Sequence, residues 1–196
     1  MESSFLALMH RMNYIERWAL MRNARRESIS EHSLEVCMIL HTLCEIGNSR
    51  FDRHLDPGRA VLLALYHDAP EIMTGDMPTP VKYGNEQIRS SYKEIEEEAR
   101  QRLLSSLPED LRDAYSGVFV PAGSEQLLAR LLKAADKLSA LIKCIEEKTA
   151  GNTEFESAAE STRETVEKYA AELPEVRVFM EEVLPAYGRT LDELLG

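Results

Sequence analysis

The sequence predicts an all-α protein, a single-domain helical bundle, and three observations carry the prediction. Apolar residues recur at three- and four-residue spacing along most of the chain. Prolines and glycines fall at the joints between those stretches, where helices begin and end. No segment reads as a convincing strand, and no repeat, low-complexity run or flexible linker divides the 196 residues. That length fits one domain with a real core.

The elements follow in order. Ser4 to Asn13 read as a short amphipathic helix with Phe5, Leu8, Met9 and Met12 on one side. A basic, irregular stretch from Arg17 to Arg26 follows. Ser30 is a plausible N-cap for a helix from Glu31 to about Ile46, ended by Gly47-Asn48. Asp56-Pro57 opens the next helix, with proline at its first position. It runs through Ala60 to Tyr66 into His67-Asp68 and is apolar almost all round, which predicts burial. Ala69 to Gly84 carry three prolines and two glycines and read as a loop. Tyr92 to Ser106 form a charged helix, and Pro108 starts a short one that breaks at Gly117 and Pro121. Ser124 caps a long helix to about Thr149, stopped by Gly151. Two further helices span Glu154 to Glu172 and Glu175 to Leu184, and Thr190 caps a final turn.

Composition narrows the function. Acidic side chains outnumber basic ones, 34 to 23, for a formal charge of −11. That balance argues against nucleic acid polymers and anionic membranes as partners. It leaves room for a small anionic substrate, because a metal and one arginine reverse the field inside a cleft. Cys37, Cys44 and Cys144 are odd in number, form no CxxC pair and lie among apolar residues, as core cysteines of a reducing cytoplasm do. The N-terminus lacks the apolar region of a signal peptide, and no apolar run approaches a membrane span.

Four residues from three segments carry the chemistry: His32, the adjacent His67-Asp68, and Asp136. Imidazole and carboxylate together suit a divalent manganese, cobalt, iron or zinc ion. An ion with open positions acidifies a water into a nucleophile. Each residue also has an ordinary reading. His32 heads the buried stripe of Val36, Ile39, Leu40 and Leu43, where a hydrogen-bonded core histidine fits. A His-Asp pair alone is weak evidence. Asp136 sits at the margin of its helix's apolar stripe, beside Lys133 and Lys137, where a surface salt bridge would serve.

The order His, His-Asp, Asp on a helical scaffold resembles the HD-domain metal-dependent phosphohydrolases, and more narrowly their bacterial 5′-deoxynucleotidases. The matching text includes Arg17-Trp18-Ala19-Leu20-Met21-Arg22-Asn23, Ser30-Glu31-His32-Ser33-Leu34 and Tyr66-His67-Asp68-Ala69-Pro70-Glu71. It continues through Thr74-Gly75-Asp76-Met77-Pro78-Thr79-Pro80-Val81-Lys82-Tyr83, the most specific block, and Lys133-Ala134-Ala135-Asp136-Lys137, and ends with Gly151-Asn152-Thr153-Glu154-Phe155. It spans nearly the whole chain.

The resemblance implies an HD-type domain over residues 1–196 and one divalent ion per subunit, cobalt or manganese before zinc or iron. His32, His67, Asp68 and Asp136 would be its ligands. It implies that Glu71 is catalytic, positioning water or moving a proton, and that Asp68 and Arg17 share in catalysis, with the Arg17 fork on the phosphate. The implied substrate contacts are Arg17, Trp18, His32 and the loop Asp76, Met77, Pro78 and Thr79. Trp18 would exclude a ribose 2′-hydroxyl, Asp76 would accept from a 3′-hydroxyl, and Thr79 would donate to phosphate or sugar. A homodimer is implied as well. The expected reaction is hydrolysis of deoxyribonucleoside 5′-monophosphates to deoxynucleoside and phosphate, selective against ribonucleotides. The competing readings are an HD-type enzyme for triphosphates, cyclic nucleotides or a guanosine alarmone, and a non-catalytic metal-bound nucleotide sensor.

Overall fold

A computed structural model describes residues 2–82 and 85–196, with the side chains of Thr79 and Pro80 outside that description. The donor role expected of Thr79, and the loop end at Tyr83 and Gly84, therefore lie outside the described residues. Helices α1 (Phe5–Met9), α2 (Ile29–Phe51), α3 (Pro57–Tyr66), α4 (Glu71–Thr74), α5 (Thr79–Lys82) and α6 (Glu86–Ser105) form the first half. Helices α7 (Glu109–Ser116), α8 (Gln126–Thr149), α9 (Glu156–Glu172), α10 (Pro174–Val178) and α11 (Leu191–Leu195) complete the chain. The described residues contain no strand, only an isolated antiparallel bridge between Glu16 and Ser28. The fold is all-α, as the periodicity predicts. None of the described helices is long and apolar enough to cross a membrane.

Several boundaries differ from the sequence expectation, each for a local reason. Ser28, not Ser30, caps α2, because only Ser28 has a glutamate three residues on. Glu31 N donates to Ser28 Oγ, and Glu31 returns its carboxylate to Ser28 N at 2.8 Å. Gly47-Asn48 does not end α2, which continues to Phe51 and stops at Asp52 in the left-handed conformation. Gly47 serves close packing instead. A Cβ there would lie 3.2–3.3 Å from Arg53, Glu175 and Leu55 side-chain carbons. The stretch read as a loop contains α4 and α5. Helix α6 begins six residues early, at Glu86, where the Asn85 side chain accepts from Ile88 N at 2.8 Å. Its first turns are exposed, so no apolar stripe marked them. Glu125 rather than Ser124 precedes α8. The stretch expected as one helix to Leu184 is α10, then a π-helical turn Phe179–Val183 and a 3-10 turn from Leu184. Helix α3 is not buried all round: Leu62 and Leu65 are 44% and 41% exposed.

Helices α2, α3 and α8 build the main core, closed by α9 and α10. Leu40, Leu43, Leu63, Leu131, Leu138 and Leu141 are fully buried there. Burying each stabilises the fold by roughly 1.5–3 kcal/mol. Cys37, Cys44 and Cys144 are buried in the same core as free thiols. A smaller cluster gathers Phe5, Ala69, Leu103, Leu107, Val118 and Phe119 around Tyr66. Its rings pack edge to face, Phe5 with Tyr115 at 5.1 Å and Tyr66 with Phe119 at 5.6 Å. The turn after α3 is therefore held on two sides. Leu63 and Ala64 anchor it in the main core, and Tyr66 and Ala69 anchor it in the smaller one. His67 and Asp68 sit on that clamped turn.

Candidate active site

Three elements bring the sequence-selected ligands together. His32 lies in the first turn of α2, fully buried. His67 and Asp68 follow the last residue of α3, and Asp136 projects from the middle of α8. His32 Nε2 lies 3.4 Å from Asp68 Oδ2 and 3.2 Å from Asp136 Oδ1. His67 Nε2 lies 3.2 Å from Asp68 Oδ2. Donor atoms of His32, His67 and Asp68 all fall within 4.8 Å of one another. Asp136 joins through His32, and its other oxygen meets Lys137 Nζ at 3.1 Å. The salt bridge weighed against the ligand role of Asp136 thus exists alongside the approach to His32.

The donor set fits a cation. Both Nε2 atoms are buried without a hydrogen-bond partner among the described residues. His67 Nδ1 is 2.7 Å from the Ala64 carbonyl oxygen, so it carries the proton and Nε2 is free to ligate. Burial, the largest single influence, lowers the His67 pKa, but the charge and hydrogen bond of Asp68, the charge of Asp136 and the Ala64 carbonyl together outweigh it and push the imidazole up to about 9. Burial also opposes ionisation of Asp68, yet His67 and His32 hold it well below the usual carboxylate range. Asp136 is held below that range too, burial being outweighed by Lys137 and His32. Two half-buried anions thus stabilise a proton at the place where a divalent ion would displace it.

Arg17 faces the same charges. Its Nη1 pairs with Glu27 Oε2 at 2.8 Å, with side chains 10% and 8% exposed. The backbone brings the pair together, since Arg17 N donates to the Glu27 carbonyl at 2.9 Å. Burial works against the guanidinium charge, but Glu27, Asp136, Asp68 and Asp76 raise its pKa. Trp18 next to it has φ of +57°, a left-handed conformation that costs a bulky residue of order 1–3 kcal/mol. The surroundings over-determine it. Trp18 N donates to Asp76 Oδ2 at 3.2 Å, Asn23 Nδ2 donates to the Trp18 carbonyl at 3.1 Å, and the indole lies 5.4 Å from the Phe155 ring. The indole Nε1 is buried with no partner among the described residues.

Glu71 starts α4 and is 8% exposed, with Oε2 unpartnered among the described residues. Burial first, then the charges of Asp68 and Asp76, push its carboxyl up to about 9, against Lys82 and Arg17. In the metal-free protein the folded chain therefore holds this proton where the unfolded chain, near 4.5, has lost it. Stability falls as pH rises through that window, by up to about 1.4 kcal/mol per pH unit. We expect metal-free Glu71→Gln to gain on the parent protein at about pH 8.5 and not at about pH 4 in urea denaturation. Equal gains at both pH values would contradict the raised carboxyl.

The rest of the expected substrate loop is split. Asp76 joins the Trp18 backbone. The Pro78 carbonyl accepts from Val81 N and Lys82 N and opens α5. Met77 lines a groove of about 330 Å³ with Gln87, Ile88, Ser91, Tyr92 and Ile95.

Sequence reading missed five residues. Glu27 holds Arg17. Lys143 and Glu147, a buried pair on α8, receive and cap the basic loop: Ala24 N donates to Glu147 at 2.8 Å, and Lys143 donates to the Arg25 carbonyl. Glu35 and Ser139 stand behind His32. Their signal was spacing, three residues past His32 and Asp136.

Comparison with known proteins gives the chain its family and its fold. A family model described as 5′-deoxynucleotidase YfbR-like matches residues 4–187. A 5′-deoxynucleotidase of Erwinia tasmaniensis is 44% identical over 98% of this chain and 96% of its own length. The 5′-deoxynucleotidase YfbR of Escherichia coli strain ATCC 8739 is also 44% identical, over 98% of this chain and 96% of its own. Among solved structures, an HD-domain phosphohydrolase from Listeria innocua is similar with a TM-score of 0.82 at 24% identity, covering 94% of this chain and 88% of that one. The cyanophage S-2L HD phosphohydrolase DatZ, bound to dA and one catalytic Zn²⁺ ion, has a TM-score of 0.61 at 18% identity, covering 95% and 96%.

Proposed function

Because this chain belongs to the YfbR-like 5′-deoxynucleotidase family, an HD-type group of phosphomonoester hydrolases, we propose that it hydrolyses deoxyribonucleoside 5′-monophosphates and selects against ribonucleotides. One observation carries the reading. His32, His67, Asp68 and Asp136 converge from three elements, and Arg17 and Glu71 sit in the field of the same carboxylates.

In this reading His32, His67, Asp68 and Asp136 hold one divalent ion, cobalt or manganese before zinc or iron. When bound, the ion supplies Lewis acidity and a more acidic water. DatZ, bound to dA and one catalytic Zn²⁺ ion, supports a metal and a deoxynucleoside on this scaffold. Arg17 turns its fork to the phosphate oxygens and offsets charge that builds during transfer. Glu71 keeps a proton near the Asp68 carboxylate and delivers it to the leaving 5′-oxygen, or orients the attacking water. Trp18, fixed by Asp76, Asn23 and Phe155, walls the sugar where a 2′-hydroxyl would project. Asp76 keeps one oxygen for the sugar 3′-hydroxyl. Residues 1–196 act as one HD-type domain in the cytoplasm. The exposed Leu34, Met38, Leu62 and Leu65 on the packed pair α2 and α3 support a homodimer, which light scattering would register as twice the chain mass.

The test is phosphate release from paired ribo- and deoxyribonucleoside 5′-monophosphates with manganese, cobalt, zinc and iron in turn. Deoxyribonucleotides should react at least about 10-fold faster, an amount that one steric or polar clash provides. Equal rates for both sugars would remove the role given to Trp18. Preference for triphosphates or cyclic nucleotides would replace the substrate assignment.

A further inference from the structure

Behind His32 runs a hydrogen-bonded chain that the reaction does not use. His32 Nδ1 lies 2.9 Å from Ser139 Oγ, and Ser139 Oγ lies 2.5 Å from Glu35 Oε2. An ionised carboxylate only accepts, so the serine hydroxyl donates to Glu35 and its oxygen accepts from His32 Nδ1–H. That direction leaves the lone pair on Nε2, the atom facing Asp68 and Asp136.

The helices make the arrangement reciprocal. On α2, His32 and Glu35 are three residues apart and share a face. On α8, Asp136 and Ser139 are three residues apart and share another. Each helix thus contributes one candidate ligand and one supporting group, and Ser139 bridges the two helices. His32 and Ser139 are both fully buried, so bulk water has no path to replace the hydroxyl. His67 differs: its Nδ1 is held by the Ala64 main chain, which no side-chain substitution removes.

We propose that Ser139 and Glu35 are positioning residues that hold His32 as the Nδ1–H tautomer, in a fixed ring orientation, and thereby set the affinity of the site for its ion. The proposal rests on the metal reading of the site above. Partners of this kind typically change metal affinity ~10–100-fold.

The experiment titrates chelator-stripped protein with Co²⁺, following visible absorption and equilibrium dialysis, with urea denaturation of each metal-free variant alongside. Ser139→Ala should weaken Co²⁺ binding ~10–100-fold and shift the cobalt absorption band. Glu35→Leu should do the same, and Glu35→Gln, which still offers an oxygen to the serine hydroxyl, should bind within a few-fold of the parent. Glu35 lies at the margin of the core, so its variants keep the test open should Ser139→Ala not fold. His32→Ala is the control. Loss of Co²⁺ binding in His32→Ala, with parental affinity and spectrum in Ser139→Ala and Glu35→Leu, overturns this proposal and leaves the metal reading standing. Lower metal-free stability with unchanged Co²⁺ affinity overturns it equally. Parental Co²⁺ binding by His32→Ala removes the metal reading, and this proposal with it.

Discussion

Asp68→Asn should lower deoxynucleotide turnover by at least about 10³-fold, roughly 4 kcal/mol of transition-state stabilisation, while the helical fold persists. The size follows from what the carboxylate touches. Asp68 Oδ2 is shared by His32 Nε2 at 3.4 Å and His67 Nε2 at 3.2 Å, which makes it the common neighbour of both imidazoles. Asparagine keeps the shape and the space but removes the charge. Its single carbonyl oxygen is a poorer ligand for a divalent ion, and its amide nitrogen is none.

The fold should survive because the turn is held by Leu63, Ala64, Tyr66 and Ala69 in the two apolar clusters, not by this ion pair. Metal-free stability has opposing terms. His67 loses a counter-charge, and Glu71 loses the repulsion that helps raise its carboxyl to about 9. Phosphate-release kinetics, metal content and far-ultraviolet circular dichroism on one preparation check the result. A folded variant with stoichiometric metal and undiminished turnover would refute the role of Asp68.

How much of this was legible in the sequence depends on the range of the forces involved. The periodicity of Val36, Ile39, Leu40 and Leu43 gave α2 its buried face, because helical spacing alone decides which side chains meet the core. The cap of α2 was misplaced by two residues. Ser28 and Ser30 are both capping residue types, and the glutamate three positions after Ser28 is what separates them. Gly47 was read as a stop when its task is to admit Arg53, Leu55 and Glu175, a tertiary fact that local sequence does not contain. The four candidate ligands were found because their residue types are rare and their order matches a family.

The groups around them were harder to see. Glu27 and Glu147, buried, and Glu35, half-buried, are three among many acidic residues on a chain of net charge −11, and nothing local separates such glutamates from solvated ones. Asp76 was expected at the sugar. Its bond to the Trp18 backbone, 58 residues away, gives it a second task in holding a strained loop.

Arg17 is the second large lever, and its burial dictates how it must be tested. Arg17→Met alone leaves the Glu27 carboxylate, 8% exposed, without its partner. Breaking a buried pair on one side costs about 3–5 kcal/mol of stability, so lost activity in that variant would have two explanations. The double variant Arg17→Met/Glu27→Gln removes both charges, leaves volume nearly unchanged and should recover most of the lost stability. If Arg17 serves only to pair with Glu27, activity returns with the fold. If the guanidinium binds phosphate, activity stays low. We expect kcat/KM for deoxyribonucleoside monophosphates to remain about 10²–10³-fold down, some 3–4 kcal/mol, as for a lost donor to a charge-developing oxygen.

Arg17→Lys refines the reading. It keeps a positive charge near Asp68, Asp136 and Asp76 but gives up the two-pronged geometry, so it should fall between the parent and the double variant. Metal binding separates this arginine from the ligands. Arg17 repels a cation, so the double variant should take up Co²⁺ at least as tightly as the parent while turning over far more slowly. A double variant with parental kcat/KM would confine Arg17 to the structural pair and leave the phosphate without its proposed anchor.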